Sequence, residues 1–216
     1  MPTIWIARHG ETTWNLAGRY QGRLESALSG LGVRQGIALA GYFTARLQLG
    51  EAVPERIISS PLVRCASTAR FTAERLGVAL ETDEQLIEIA HGTWEGRYRD
   101  ELARDDPERY RAWREDPARV GFEGGETLGD VLARWRSFAA GLSSEKRDTL
   151  VVAHDAVVRC ALVDLQGRTL DAFWQTHVEN AAFAIVNSDG GRLTLERECY
   201  AEHLRGLQAD VATQAL

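Results

Sequence analysis

At 216 residues, 44% of them hydrophobic and 26% charged, the chain has the composition of an ordinary globular protein with enough apolar surface for a sizeable core. The net charge of −6 argues against nucleic acid or an anionic membrane as partner, because both reward a basic surface, so any anion site must be a local basic pocket. Three scattered cysteines, Cys65, Cys160 and Cys199, form neither a CxxC pair nor a disulfide framework and fit a reducing cytoplasm. No apolar run approaches the ~20 residues of a membrane span, and the N-terminus lacks the basic and apolar regions of a signal peptide. Nothing marks a linker or an internal repeat, so residues 1–216 read as one domain. Order is expected throughout, except around Gln208–Leu216.

In chain order, Thr3–Arg8 is a short apolar run ending in Arg-His and reads as a buried strand; Arg56–Ser59, Thr149–Ala153 and Ala182–Asn187 read the same way. Between them Leu31–Leu47, Leu62–Leu76, Thr127–Leu142 and Ala156–Leu165 carry apolar residues at helical spacing. Ser60 before Pro61 looks like an N-cap followed by proline at the first helical position. Gly92 to Gly125, with Pro107, Pro117 and aromatic-charged turns, reads as a helical lid at about residues 92–125. Asp189-Gly190-Gly191 is a hairpin turn leading to a last antiparallel edge strand over Leu193–Glu198. Strands alternating with helices predict an α/β protein, a three-layer α/β/α sandwich with a mostly parallel central sheet.

Ligands in such sheets bind beyond the carboxyl ends of the strands. Arg8-His9 follows the first strand, His154 follows Leu150–Ala153, and Arg64 falls on the first turn of the helix after Ile57–Ser59. Helix N-termini attract anions. Two arginines and two histidines converging there describe a phosphate pocket. Any one of these residues alone would be an ordinary loop, core or surface group; their coincidence at three strand ends carries the reading.

Arg8-His9-Gly10-Glu11-Thr12 resembles the RHG(E)T signature of the histidine phosphatase, or phosphoglycerate mutase-like, superfamily. Asn15 and Gln21 fall where that family has its substrate-loop asparagine and glutamine. Residues 59–69, 86–96, 124–127 and 152–154 are similar to its SSPLxRAxxTA, LxExxxGxWEG, GGES and VxHG segments. Several ordered motifs over roughly residues 3–187 are far more specific than one. The resemblance implies that His9 is a nucleophile that becomes transiently phosphorylated. Arg8, Arg64 and His154 would stabilise the phosphoryl group, without metal or other cofactor. Glu88 would be the acid for the leaving group; two nearby arginines would lower its pKa, so burial or the phosphate must keep it protonated. Thr12, Asn15, Gln21 and Asp155 are the expected substrate contacts.

The expected reaction is hydrolysis of a small phosphorylated metabolite. A phosphoglycerate mutase is the alternative, disfavoured because Gly92-Thr93-Trp94-Glu95-Gly96 follows Glu88 closely and leaves no room for a long basic insertion. A non-catalytic phosphate-binding protein is the alternative of another class, and the presence of His9, Arg8, Arg64, Glu88 and His154 weighs against it. Asp155 departs from the family, which has glycine after the second histidine. Pointing inward it would weaken anion affinity or reach a cationic substrate group; as a helix N-cap, the favoured reading, it is harmless. Arg97, Tyr98, Arg99, Tyr110, Trp113 and Glu123 in the lid are expected to select the substrate. His91, His177 and His203 lack the companions of a zinc site and read as core or surface residues. Trp94, Trp113 and Trp135 read as packing residues, and Asn180 as structural. The C-terminal edge strand is free to pair with a second copy in a homodimer.

Overall fold

The computed structural model describes residues 1–210, 214 and 215. Its centre is a six-stranded sheet in the order β3-β2-β4-β1-β5-β6, built from β1 (Thr3–Arg8), β2 (Arg56–Ser59), β3 (Leu80–Thr82), β4 (Thr149–Ala153), β5 (Phe183–Asp189) and β6 (Arg192–Tyr200). The strands β1 to β4 are mutually parallel, β5 runs antiparallel to β1, and β6 pairs antiparallel with β5. The expected antiparallel edge is therefore a hairpin. Its turn is Gly190-Gly191, with φ of 56° and 88°, a backbone that only glycine adopts without cost. The short β3 carries no alternation of burial that a sequence reading could have found.

Period-two side-chain alternation assigns the two faces. Trp5 and Ala7 of β1, with Leu150 and Val152 of β4, join the core beneath α2 (Gly30–Gln48) and α3 (Val63–Leu76). Ile4 and Ile6, with Val151 and Ala153, join the larger core beneath α6 (Leu128–Leu142) and α7 (Asp155–Leu165). Thr13–Leu16 forms a one-turn helix, α1, and the lid holds α4 (Arg99–Asp105) and α5 (Pro107–Glu115). Among the described residues no helix is long and apolar enough to cross a membrane.

Two helix starts differ from expectation. α3 begins at Val63, with Leu62 rather than Ser60 at the N-cap. The Ser60 hydroxyl lies 2.8 Å from His154 Nε2 and only 3.3 Å from the Leu62 amide, while the Glu25 carboxylate accepts from the Val63 N–H. A carboxylate from another loop thus caps this end of α3. α7 begins one residue early, with His154 at the N-cap position and Asp155 already helical. Asp155 is not the cap; its side chain turns inward to Arg8 and Arg159.

Candidate active site

β1 and β4 are sheet neighbours in register, Arg8 opposite Ala153, so the residues that follow them, His9 and His154, emerge side by side. Their rings sit 5.3 Å apart at 67°. The backbone beneath is tightly packed: a Cβ on Gly10 would lie 2.7 Å from the Gly32 carbonyl oxygen in the first turn of α2. No larger residue fits there without moving α2. Behind His9, Asn180 donates to the His9 carbonyl, and the Ala181 amide donates to the Arg8 carbonyl.

His9 Nδ1 is 2.7 Å from the Gly10 carbonyl. A carbonyl can only accept, so Nδ1 carries the proton and Nε2 holds the free lone pair. Burial, reinforced by Arg64 and Arg8, pushes the pKa of His9 well below its usual value, which keeps the imidazole neutral and nucleophilic. Arg64 reaches from the first turn of α3 to donate through Nε to His154 Nδ1, through Nη1 to the Leu24 carbonyl and through Nη2 to the Gly22 carbonyl. With Nδ1 accepting, the His154 proton lies on Nε2 and is donated to the Ser60 hydroxyl. His154 is likewise held neutral, by burial first and Arg64 second.

Arg8 is wholly buried. Its Nη1 donates to the Val178 carbonyl at 3.2 Å and lies 3.1 Å from Asp155 Oδ1, while Nη2 donates to Gln214 Oε1 at 2.6 Å. The Asp155 contact is an ion pair without hydrogen-bond geometry, and Arg8 Nε and Asp155 Oδ1 have no hydrogen-bond partner.

Above these groups lies a small cavity, lined among others by His9, Asn15, Gln21, Glu88, His91 and Asp155. Ile89, Trp113, Phe173 and Ala215 also contribute to its walls. Arg8, Arg64 and His154 sit behind this lining at 1% exposure or less. Thr12 does not line it either: as N-cap of α1 its hydroxyl accepts from the Asn15 amide and lies 3.0 Å from both Asn15 Oδ1 and Gln21 Oε1. Thr12 therefore positions two cavity residues rather than meeting a ligand. Asn15 Nδ2 has no partner, a buried donor available to an oxyanion.

Glu88 is buried on the cavity wall, and its carboxylate accepts from the Ile89 amide. Its pKa is raised to about 7, by burial first; Arg64 opposes, the Asp155 carboxylate adds to the rise, and the Ile89 amide and Arg8 oppose more weakly. The tension expected from the sequence is resolved in favour of the protonated acid.

The lid contributes less than expected. Of its six expected selectors only Trp113 reaches the cavity; Arg97 pairs with Asp105, Arg99 with Asp100, and Tyr98 is exposed. Four contributors went unrecognised in the sequence. His91 is 4% exposed on the cavity wall with neither ring nitrogen hydrogen-bonded, packed edge-on against Tyr20, Trp113 and Phe122. Phe173 comes from an irregular helical segment. Gln214 and Ala215 are buried here although they fall within the stretch around Gln208–Leu216 expected to lack order; residues 211–213 and 216 of it lie outside the described residues. Among the described residues no group of three or more His, Cys, Asp or Glu could hold a metal ion.

Residues 4–199 match the family model of the histidine phosphatase superfamily, branch 1. The chain belongs to this superfamily. It is 33% identical over 194 residues to phosphoserine phosphatase 1 of Hydrogenobacter thermophilus, 89% of each chain. It is 35% identical over 163 residues to glucosyl-3-phosphoglycerate phosphatase of Mycobacterium tuberculosis, covering 71% of this chain and 70% of that protein. The solved structure of Bacillus stearothermophilus YhfR superposes with a TM-score of 0.86 at 27% identity, covering 94% of this chain and all of that one. With these relatives and this fold, the protein is a phosphatase, a phosphoric monoester hydrolase.

Proposed function

We propose that the protein hydrolyses its phosphomonoester through a phosphohistidine at His9, with Glu88 as the acid and then the base. The observation that carries this is geometric: His9, its Nδ1 proton tied to the Gly10 carbonyl, and Glu88, whose burial raises its pKa to about 7, lie on the wall of the same cavity. In the first step His9 Nε2 attacks phosphorus in line with the leaving oxygen: the N–P bond forms, the ester P–O bond breaks, and the Glu88 proton passes to the leaving alkoxide. In the second, a water gives its proton to the Glu88 carboxylate and attacks the phosphohistidine, releasing phosphate and restoring His9. Arg8 and Arg64 supply fixed positive charge behind the transferring oxygens, the neutral His154 ring holds Arg64 Nε in place and can turn its Nε2 proton from Ser60 to a phosphoryl oxygen, and Asn15 Nδ2 and Gln21 supply donors from the cavity wall.

The substrate is a small metabolite with a polar leaving group, since the cavity around His9 is confined and its wall presents the unpaired His91 imidazole between Trp113 and Phe122. The free, largely buried cysteines support a cytoplasmic location.

The test is phosphate release from a panel of phosphomonoesters, with a chelator present, alongside rapid acid or base quench of enzyme mixed with ³²P-labelled substrate. An acid-labile, base-stable phosphoprotein that forms in the wild type and is absent from His9→Ala is the expected result. Turnover undiminished in His9→Ala would remove His9 from the mechanism.

A further inference from the structure

Asp155 places a carboxylate at the edge of a site for a phosphate, which on its own would weaken anion binding. The arrangement around it answers that problem. Asp155 Oδ2 accepts from Arg159 Nε at 2.6 Å, one helical turn further along α7, while Oδ1 faces Arg8 Nη1 at 3.1 Å. Arg159 is itself 7% exposed, and its Nη1 donates to the Thr176 carbonyl and lies 3.2 Å from the Thr176 hydroxyl. Its guanidinium also stands 5.2 Å from the Trp174 ring centre and 5.7 Å from that of Phe173, the cavity-wall residue. The carboxylate is thus shared between two arginines, and the outer one is fixed from three sides.

We propose that Arg159 is a charge-balancing positioning residue: by occupying one oxygen of Asp155, it lets that carboxylate fix the Arg8 guanidinium in place without neutralising it. Two cations against one carboxylate leave a net positive charge in the group. Arg159 does not line the cavity, so that surplus is expressed at Arg8, beside His9. Without Arg159, both Asp155 oxygens are free for Arg8; a bidentate pair would form, and a buried arginine so matched has little charge left for an incoming anion. Asp155 also lies close enough to Glu88 to favour its protonated form. The Asp155–Arg159 unit therefore touches both halves of the reaction while contacting neither reacting atom.

This inference rests on the phosphate site proposed above, but its test reads equilibrium binding rather than turnover, so the two can fail separately. Inorganic phosphate binding to the intact protein is measured by calorimetry for wild type, Arg159→Met, Arg159→Lys, Asp155→Asn and the double variant Asp155→Asn/Arg159→Met. Arg159→Met is expected to weaken phosphate binding at least tenfold, and the double variant to return it to within threefold of wild type, because the quenching carboxylate is gone. Arg159→Lys, which keeps a cation beside Asp155 but loses the fork to Thr176, is expected to stay within threefold. Asp155→Asn alone should retain phosphate binding while its kcat falls and the alkaline limb of its pH–rate profile moves to lower pH, since Arg64 and Arg8 then lower the Glu88 pKa without the Asp155 carboxylate against them. A double variant as weak as Arg159→Met would overturn the proposal and leave Arg159 a structural clamp on the Phe173–Thr176 segment. So would wild-type affinity in Arg159→Met. Should Arg159→Met not fold, a Lys variant weakened tenfold or more would overturn the proposal by itself, and a Lys variant within threefold together with the double variant's affinity would sustain it.

Discussion

Beneath the cavity, Arg8, His9, Arg64 and His154 come from two adjacent strand ends and one helix start, and every one of them is hydrogen-bonded to backbone or to a neighbouring side chain. Above it, Ile89, His91, Trp113, Phe173 and Ala215 converge from segments far apart in the chain, and the one imidazole among them has no hydrogen-bond partner. The floor is finished before a ligand arrives; the roof is not. A pre-oriented floor suits the one feature shared by all phosphomonoesters, the phosphoryl group. A roof of aromatic faces around an unpaired imidazole suits the part that differs from ester to ester.

The sharpest test of that division is Arg64→Met. Arg64 joins α3 to His154 and to the loop carbonyls of Gly22 and Leu24. Its loss should cost on the order of 10²–10³-fold in kcat/KM, the scale of removing a preorganised oxyanion donor. The loss should be uniform across a panel of esters. A loss that varied strongly with the leaving group would break the comparison, because it would give the floor a say in specificity.

Glu88 stands where floor meets roof, and Glu88→Gln should lower kcat by roughly 10²–10⁴-fold, the range for general acid catalysis. The deficit should be largest for alkyl esters and smallest for p-nitrophenyl phosphate, whose leaving group needs no proton. With the pKa near 7, the wild-type rate should fall as pH rises past neutrality and the acid is lost. Stability follows the same proton. Between the unfolded value of 4.5 and the folded value of about 7, the native state holds a proton that the unfolded state has released, so stability is full below pH 4.5 and declines as pH rises through 7. The decline is roughly 3 kcal/mol from this group. Thermal melts from pH 4.5 to 8 should show it as a difference between wild type and Glu88→Gln, because the buried neutral imidazoles of His9, His91 and His154, which favour folding as pH rises toward 6.5, act alike in both.

The floor was legible in the sequence and, Trp113 apart, the roof was not, for the same reason that they differ in structure. His9, Arg64 and His154 each follow directly on a strand or open a helix, so a run of local residues announces them, and pairing of β1 with β4 in register does the rest. His91 lies three residues from Glu88 and still read as an ordinary core or surface histidine, because nothing local says that Trp113 and Phe122 will enclose it beside a cavity. Phe173 and Gln214 have no motif; their places depend on how the chain returns across the sheet. Ser60 was misread for the converse reason. Its N-cap chemistry is real, but His154, 94 residues away, claims the hydroxyl. Asp155 likewise has N-cap chemistry, and a buried pair of arginines outweighs it.

His91→Phe removes the unpaired nitrogens and keeps the ring among Tyr20, Trp113 and Phe122. If the roof recognises the leaving group, KM for the best ester of the panel should rise about tenfold, the worth of one hydrogen bond of about 1.4 kcal/mol. The rate on p-nitrophenyl phosphate should stay within about threefold of wild type. The melting temperature should rise, since a buried polar group without a partner costs about 1–3 kcal/mol that phenylalanine does not incur. Gain of stability with loss of discrimination is the signature of a residue kept for its ligand. An equal loss on every ester would move His91 to the floor.

The smallest effect is expected at Gln214, which touches both regions: its Oε1 accepts from Arg8 Nη2 at 2.6 Å and its Nε2 donates to Asn180 Oδ1 at 2.8 Å, while its neighbour Ala215 lines the cavity. Arg8 keeps the Val178 carbonyl and Asp155 when Gln214 is cut back to alanine, so its position should hold and kcat should change little. What changes is the supply of donors. One Nη2 proton now given to an amide oxygen becomes available to an anion, and inorganic phosphate should inhibit about two- to threefold more tightly, a modest gain because a neutral amide and a phosphate oxygen exchange for one another at the same guanidinium. Weaker inhibition in Gln214→Ala would instead mean that the amide holds Arg8 in its working pose. The C-terminal residues would then belong to the floor, and the boundary between the finished and the unfinished half of the site would run outside Gln214 rather than through it.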